Sequence, residues 1–150
     1  MTLKAEKFDK FLEEKEIKCF QKEEIKDQLN TVVYRSFMEV EGQNLPIIVI
    51  TDSSIYTMVR VQVAAKLAKE HNTGEILEYI NELNRQFKVF KYFVTDNGDL
   101  CLDSCIVTDA ETFNSEIVYT VIDVILKHLV EFYPAIMRKI WAEEKEEKAN

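Results

Sequence analysis

Glycine is scarce in this chain: Gly42, Gly74 and Gly98 are the only three, and each stands alone. Loops that cradle phosphate groups need several glycines close together, so the common nucleotide-binding loops are excluded. Histidine is just as rare, and neither His71 nor His128 has a Cys or His partner at the spacing of a zinc site. The sequence therefore predicts no metal and no other cofactor.

A basic surface is also missing, since 19 Lys and Arg stand against 27 Asp and Glu, for a net charge of −8. Contact with a phosphate backbone needs a basic face, so we expect no nucleic-acid partner. The longest apolar run is far below the roughly 18 residues that cross a bilayer. Residues 1–7 lack the apolar segment of a signal peptide. These absences predict a cytoplasmic protein without a membrane partner.

Motifs for covalent chemistry are equally hard to find. The three cysteines are an odd number, which is typical of reduced thiols in the cytosol. Cys101 and Cys105 share one face of a predicted strand about 13 Å apart, too far for a disulfide or a shared metal. Cys105 and His128 can be paired on paper, but no motif supports the pair. Ser53-Ser54 lacks the Gly-x-Ser-x-Gly elbow of a hydrolase. We predict no catalytic residue and no enzyme.

What the chain has in quantity is apolar sequence, 47% of 150 residues, and this predicts one domain over residues 1–142 with a charged, frayed tail over 143–150. The patterns predict an α+β fold with an antiparallel sheet of about five strands, in the order α-β-β-β-α-β-β-α. The predicted helices are Leu3–Glu16, Ile76–Arg85 and Ser115–Phe132, and the predicted strands are Leu29–Glu41, Leu45–Ile50, Ile55–Val63, Lys88–Val94 and Leu100–Val107. Two stretches stay ambiguous: Ile17–Gln28, with a short strand around Cys19-Phe20 as one interpretation, and Ala64–His71, extended or the start of a helix.

Local signals set the expected element ends. Asn72 with Glu75 resembles a capping box before the second helix, and Asn84 suits the turn that ends it. Asn97-Gly98 predicts a two-residue hairpin turn in which both residues take positive φ. Residues 42–44 predict the turn between the first two strands. Pro134 is expected to kink or restart the last helix, with a second piece over Pro134–Glu143.

The last predicted helix is apolar over more than half of its circumference, in two rows, whereas a simple surface helix needs only one stripe. We therefore predict a surface for self-association or for a partner protein. The alternative, in which the first helix and the C-terminal segment cover everything within the monomer, stays open. The residues predicted to form that surface are Val118, Ile122, Leu126, Tyr133, Met137 and Trp141.

Three stretches carry a resemblance to a known family: Glu78-Tyr79-Ile80-Asn81-Glu82-Leu83-Asn84, the aromatic hairpin over residues 90–100, and the ending Phe132-Tyr133-Pro134. Together with the element order, they resemble the YbjN-domain family, whose fold is like that of type III secretion chaperones. The resemblance spans residues 3–140, although the segment Ala64–His71 is unusually rich in Lys and Ala for a strand end. It implies a non-enzymatic module of the kind described as sensory-transduction regulators, dimeric as the secretion chaperones are.

Three functions are compatible with these observations. The first is a cytoplasmic binding module that forms a homodimer and holds a partner segment, by strand addition at a sheet edge or in an apolar groove. The second is a secretion-type chaperone for one effector. The third is a small-molecule sensor with a pocket between the sheet and the last helix.

Overall fold

The structure is a computed structural model that describes residues 1–67 and 73–149, with side chains up to residue 141. Within these residues, three helices accompany one antiparallel sheet of six strands in the order β1-β2-β3-β4-β6-β5. The elements are α1 (Leu3–Glu14), β1 (Gln21–Glu24), β2 (Val32–Val40), β3 (Gln43–Thr51), β4 (Tyr56–Ala64), α2 (Thr73–Gln86), β5 (Lys91–Val94), β6 (Leu100–Val107) and α3 (Ser115–Ala149). The predicted α+β class is confirmed, with one strand more than expected.

The additional strand is β1, which lies at one edge of the sheet. It covers Gln21–Glu24, just after the Cys19-Phe20 position suggested by the sequence, and all four residues are exposed. Its pairing runs from Gln21 opposite Arg35 to Glu24 opposite Val32. Because β1 has no buried side chain, its sequence has no apolar alternation, and backbone pairing alone places it in the sheet. An exposed, charged strand of this kind is typical of a sheet edge.

The two hairpin turns differ in length from the turns that the sequence predicted. Between β2 and β3, Glu41 (φ 48°) and Gly42 (φ 78°) both have positive φ, and Val40 pairs with Gln43. This is a two-residue turn, so β3 begins two residues earlier than the predicted Leu45.

In the turn between β5 and β6, Gly98 (φ 84°) has positive φ, whereas Asn97 is not among the positive-φ residues. The Gly98 N–H donates to the Thr95 carbonyl, and the Thr95 N–H donates to the Asp99 carbonyl, both at 2.9 Å. This geometry matches a three-residue loop with a glycine bulge. The predicted hairpin is confirmed, but its predicted turn type is wrong.

The α3 helix continues past Pro134. It runs from Ser115 to Ala149 with Pro134 inside it, so the expected restart with a second helix piece is wrong, and the alternative of a kink stays a prediction. A proline in a helix removes one hydrogen bond and is costly, about 3 kcal/mol. The flanking residues Tyr133 and Ile136 are buried in the core, and this packing holds the helix together across the proline. Whether the charged tail frays stays a prediction.

The segment between β4 and α2 is described only at its two ends. β4 ends at Ala64, and Leu67 is buried and donates its N–H to the Gly98 carbonyl at 2.6 Å. The predicted cap Asn72 and the rest of the ambiguous stretch lie outside the described residues. The helix α2 begins at Thr73, three residues before the predicted Ile76, and ends at Gln86, one residue after the predicted Arg85.

The three helices pack against one face of the sheet, which we call the inner face. On this face Tyr34 of β2 stacks edge-on against Phe8 of α1, with ring centroids 4.8 Å apart. Tyr92 of β5 points the same way and meets His128 of α3. Strand alternation then places the next residue of each strand on the opposite side, the outer face. The fold therefore has one covered and one uncovered sheet face.

Candidate functional site

The groups with the most unusual surroundings do not form a reactive site. Among the described residues, no three His, Cys, Asp or Glu side chains come close enough to hold a metal ion. Cys105 is exposed on the outer face of β6, whereas His128 is 6% exposed on the inner side. The sheet therefore separates the two residues that had been paired on paper. Cys101, also on the outer face, is buried, and burial raises the pKa of its thiol.

His128 belongs to an aromatic cluster in the core. Its Nε2 lies 2.7 Å from the hydroxyl oxygen of Tyr92, and its ring centroid lies 4.4–4.7 Å from those of Phe87, Phe90 and Phe132. Burial lowers the pKa of His128 to about 4, since a charged imidazole loses its hydration there. The imidazole is therefore neutral near pH 7, and its contacts join α3 to β5 and to the connection between α2 and β5.

Lys4 of α1 is a second buried titratable group. Its side chain is 1% exposed, and its Nζ donates to the Tyr56 carbonyl at 2.9 Å and to the Thr57 hydroxyl at 3.2 Å. Burial lowers its pKa. These bonds connect α1 to the first residues of β4, which is a structural role. This role could not be predicted from sequence, because Lys4 looks like one more charged residue of an amphipathic helix.

Only some of the α3 residues predicted to form a partner surface are accessible in the structure. The buried residues of the helix form one stripe that crosses both predicted rows: Val118, Ile125, Leu129, Tyr133, Ile136 and Ile140. Val118 is 0% exposed, so its assignment to a partner surface is wrong; a helix with 3.6 residues per turn buries a diagonal stripe. Ile122, Leu126 and Met137 are half-buried against the core, and Trp141 is 54% exposed.

One half of β2 is an open edge. Within the described residues, β1 pairs with β2 from Val32 to Arg35, and the following Ser36–Val40 has no strand partner on that side. Beside this stretch lies a cavity of about 280 Å³. We call it the β2-edge groove, and its main lining residues are Phe20, Phe37, Met38, Tyr119, Ile122 and Leu126. Two of the predicted surface residues, Ile122 and Leu126, thus meet at an unpaired strand.

The opposite edge of the sheet is closed by a side chain. Asn84 of α2 donates its Nδ2–H to the Tyr92 carbonyl at 3.1 Å and accepts the Tyr92 N–H at 2.7 Å. The amide thereby takes the place of a neighbouring strand at the middle of β5. Lys91 adds bonds from its Nζ to the carbonyls of Asn84 and Phe87, at 2.6 and 2.7 Å. The sequence placed Asn84 in the turn that ends the helix. In the structure Asn84 lies inside α2, and its side chain covers β5.

A second cavity, the end cavity, lies where the turn ends of β3 and β4 meet the C-terminal part of α3. Its volume is about 320 Å³, and its apolar lining includes Leu45, Val63, Leu67, Tyr133, Met137 and Trp141. The other three predicted surface residues thus converge here. Polar groups reach it from Gln43, Asn44, Gln62 and Lys66. No carboxylate borders it among the described lining residues.

Comparison with known proteins returned no matching family model and no matching curated protein. The resemblance to YbjN-domain proteins therefore rests on the sequence features described above. None of the helices in residues 1–67 and 73–149 is long and apolar enough to cross a bilayer.

Proposed function

We propose that this chain is a non-enzymatic binding module that holds an extended segment of a partner protein along Ser36–Val40 of β2. The observation that carries the proposal is the coincidence of an unpaired strand stretch with an apolar groove beside it. Main-chain hydrogen bonds to an edge strand provide affinity, and pockets for alternate side chains provide specificity.

The dimensions suit a short segment. Five residues of β2 extend over about 17 Å at roughly 3.3 Å per residue. A strand added there would direct every second side chain toward Ile122 and Leu126 in the β2-edge groove. The side chains between them would lie beside Phe37, which is 68% exposed on the outer face. The preferred segment therefore alternates, with aliphatic residues of moderate size at the inward positions.

Charge indicates what flanks that segment. The chain carries a net charge of −8, and Glu39 and Glu41 lie exposed at the end of the open stretch. Opposite charge on a partner speeds association and favours the correct register. We expect Lys or Arg next to the apolar positions of the partner segment. A secretion-type chaperone, which would hold one effector in this extended form, is a special case of the same binding mode.

The proposal can be tested with two arginine substitutions one helical turn apart. Leu126→Arg places a long cation in the β2-edge groove, whereas Val130→Arg changes an exposed residue of the same helix, 46% exposed, that does not line the groove. Proteins captured from the native host by the wild-type chain are identified, and their binding segment is mapped with synthetic peptides. We expect at least a tenfold loss of affinity for Leu126→Arg and none for Val130→Arg.

Three results would contradict strand addition at β2: equal binding by both variants, equal loss in both, or no segment retained by the wild-type chain. Thermal melting of each variant checks that the fold is kept. A mapped segment that lacks alternating apolar residues would argue against the geometry as well.

The end cavity supports a second candidate function, a small-molecule sensor. Its volume of about 320 Å³ lies at the lower end of the range typical of ligand pockets. Apolar walls with a few amides and one lysine fit a small, partly apolar anion. A thermal-shift screen of metabolites tests this candidate, with Met137→Trp as the variant that fills the cavity. A metabolite that stabilises wild type and Met137→Trp equally would show that the cavity is not its site.

A further inference from the structure

Within residues 1–67 and 73–149, the three helices leave the outer face of the sheet uncovered. Its centre consists of half-buried aliphatic side chains, Ile48 and Ile50 of β3 and Met58 of β4. Large apolar side chains remain exposed toward two corners of the face: Phe37 (68%), Tyr56 (52%) and Val107 (60%). A face with an apolar centre is typical of a surface that packs against a second sheet.

The charges of this face nearly cancel, although the chain as a whole is acidic. By strand alternation the strands place Arg35 and Arg60 on it, together with three acidic residues, Glu23, Glu39 and Asp103. Lys91 begins on the same side, but its Nζ turns to the carbonyls of Asn84 and Phe87 at the β5 edge. Two positive and three negative charges leave the face at −1, against −8 for the chain.

Both arginines of the outer face have an acidic partner on the same face. Arg60 makes a two-pronged contact with Asp103, Nε to Oδ1 at 2.7 Å and Nη2 to Oδ2 at 2.8 Å. Its guanidinium also lies over the ring of Phe93, 5.2 Å from the centroid. Arg35 pairs with Glu23 at 3.1 Å. Because each of these arginines has its partner on the same face, covering them does not strand an unpaired charge.

The size of the face suits a stable dimer. Six strands at about 4.8 Å spacing are roughly 24 Å wide, and nine-residue strands are roughly 30 Å long. The footprint of about 700 Å² approaches the roughly 800 Å² that each partner contributes to a stable interface. A two-fold interface also requires a patch that is complementary to itself, and a nearly neutral face with paired arginines and an apolar centre suits that requirement.

We infer that two copies of this chain form a homodimer by packing outer face against outer face, as two aligned sheets. The self-association surface then lies on the sheet and not on α3, where the sequence had placed it. Helix α3 and the cavity side of the β2-edge groove stay accessible in such a dimer, while Phe37 belongs to both the groove and the outer face.

The first test measures mass by sedimentation equilibrium of the full chain between about 1 and 100 μM. We expect twice the monomer mass of 17.6 kDa at the upper concentrations. Ile48→Lys adds a third cation beside Arg35 and Arg60 at the centre of the face, and we expect it to weaken the dimer at least tenfold. Val130→Lys adds the same charge on an exposed position of α3 and should leave the dimer unchanged.

The second test needs no change within the face. In a Cys19→Ser variant, Cys105 is the exposed thiol of the outer face, while Cys101 is buried. We expect its alkylation to slow at least fivefold as the concentration passes through the dimerisation range. A mass of 17.6 kDa at every concentration would overturn the inference. A dimer that resists Ile48→Lys and leaves the alkylation rate constant would overturn it too, and would move the interface to another surface.

Discussion

The two edges of the sheet are treated very differently by the rest of the molecule. At the β5 edge, a side-chain amide of α2 takes both hydrogen bonds of Tyr92, and an aromatic cluster around His128 packs behind it. At the other edge, a four-residue strand covers the first half of β2 and leaves Ser36–Val40 open within the described residues. Exposed strand edges invite pairing with other chains, so proteins commonly close them. The proposal of partner binding at β2 rests on this difference between the two edges.

The largest expected effect is a loss of stability in acid, through His128 behind the closed β5 edge. His128 has a pKa of about 4 in the folded protein and about 6.5 in an unfolded chain. Between these pH values the unfolded state binds a proton at His128 and the folded state does not, so acid favours unfolding. The stabilisation is full above pH 6.5 and is lost as the pH falls toward 4, by about 3 kcal/mol in total. Urea unfolding at several pH values measures it.

The control is His128→Gln, which has no titratable group at this position. The difference between wild type and His128→Gln should vary with pH only between about 4 and 6.5. Parallel curves for the two proteins across that window would show that His128 is not the group responsible.

Opening the closed edge should cost less. Asn84→Ala removes both side-chain bonds to Tyr92, whose backbone groups then lack partners, and we expect a loss of about 2 kcal/mol in the free energy of unfolding. Asn81→Ala changes an exposed asparagine of the same helix and should have an effect within about 0.5 kcal/mol. Denaturant titration compares them. Equal effects of the two substitutions would mean that Asn84 does not close the edge.

The smallest effects concern the cross-strand ion pairs near each edge. Asp103 is 18% exposed and binds Arg60 with two bonds, so we expect Asp103→Asn to cost about 1 kcal/mol. Glu23 and Arg35 are both more than half exposed, and solvent weakens their attraction, so Glu23→Gln should cost about 0.3 kcal/mol. High salt should shrink the second effect further. A larger loss of stability for Glu23→Gln than for Asp103→Asn would contradict this comparison of the two ion pairs.

The sequence predicted the strands with buried side chains and missed what depends on pairing. β2, β3, β4 and β6 each bury one face, so their sequences hold alternating or continuous apolar residues, and each was expected close to its observed position. β1 has no buried residue, so nothing in its side chains marks it as a strand. The role of Asn84 was hidden for a related reason, since its partner Tyr92 comes close only after the hairpin folds back.

The candidate site was half predictable. Apolar excess on α3 selected Ile122 and Leu126, which line the β2-edge groove, but a helix alone does not show which apolar residues its neighbours will bury. Val118 looked equivalent to Ile122 in the sequence, one turn away, and the fold buries the first completely and the second partly. The open stretch of β2 could not be read from sequence, because an edge is defined by the strand that fails to cover it.

Hydrogen exchange tests the proposed role of the open edge most directly. Amide exchange is followed residue by residue in the free chain and in the complex with the mapped partner segment. We predict that alternate amides of Ser36–Val40 exchange quickly in the free chain and become at least tenfold slower in the complex, while Lys91–Val94 does not change. Protection that appears at Lys91–Val94, or that leaves Ser36–Val40 as fast as before, would contradict partner binding at the β2 edge.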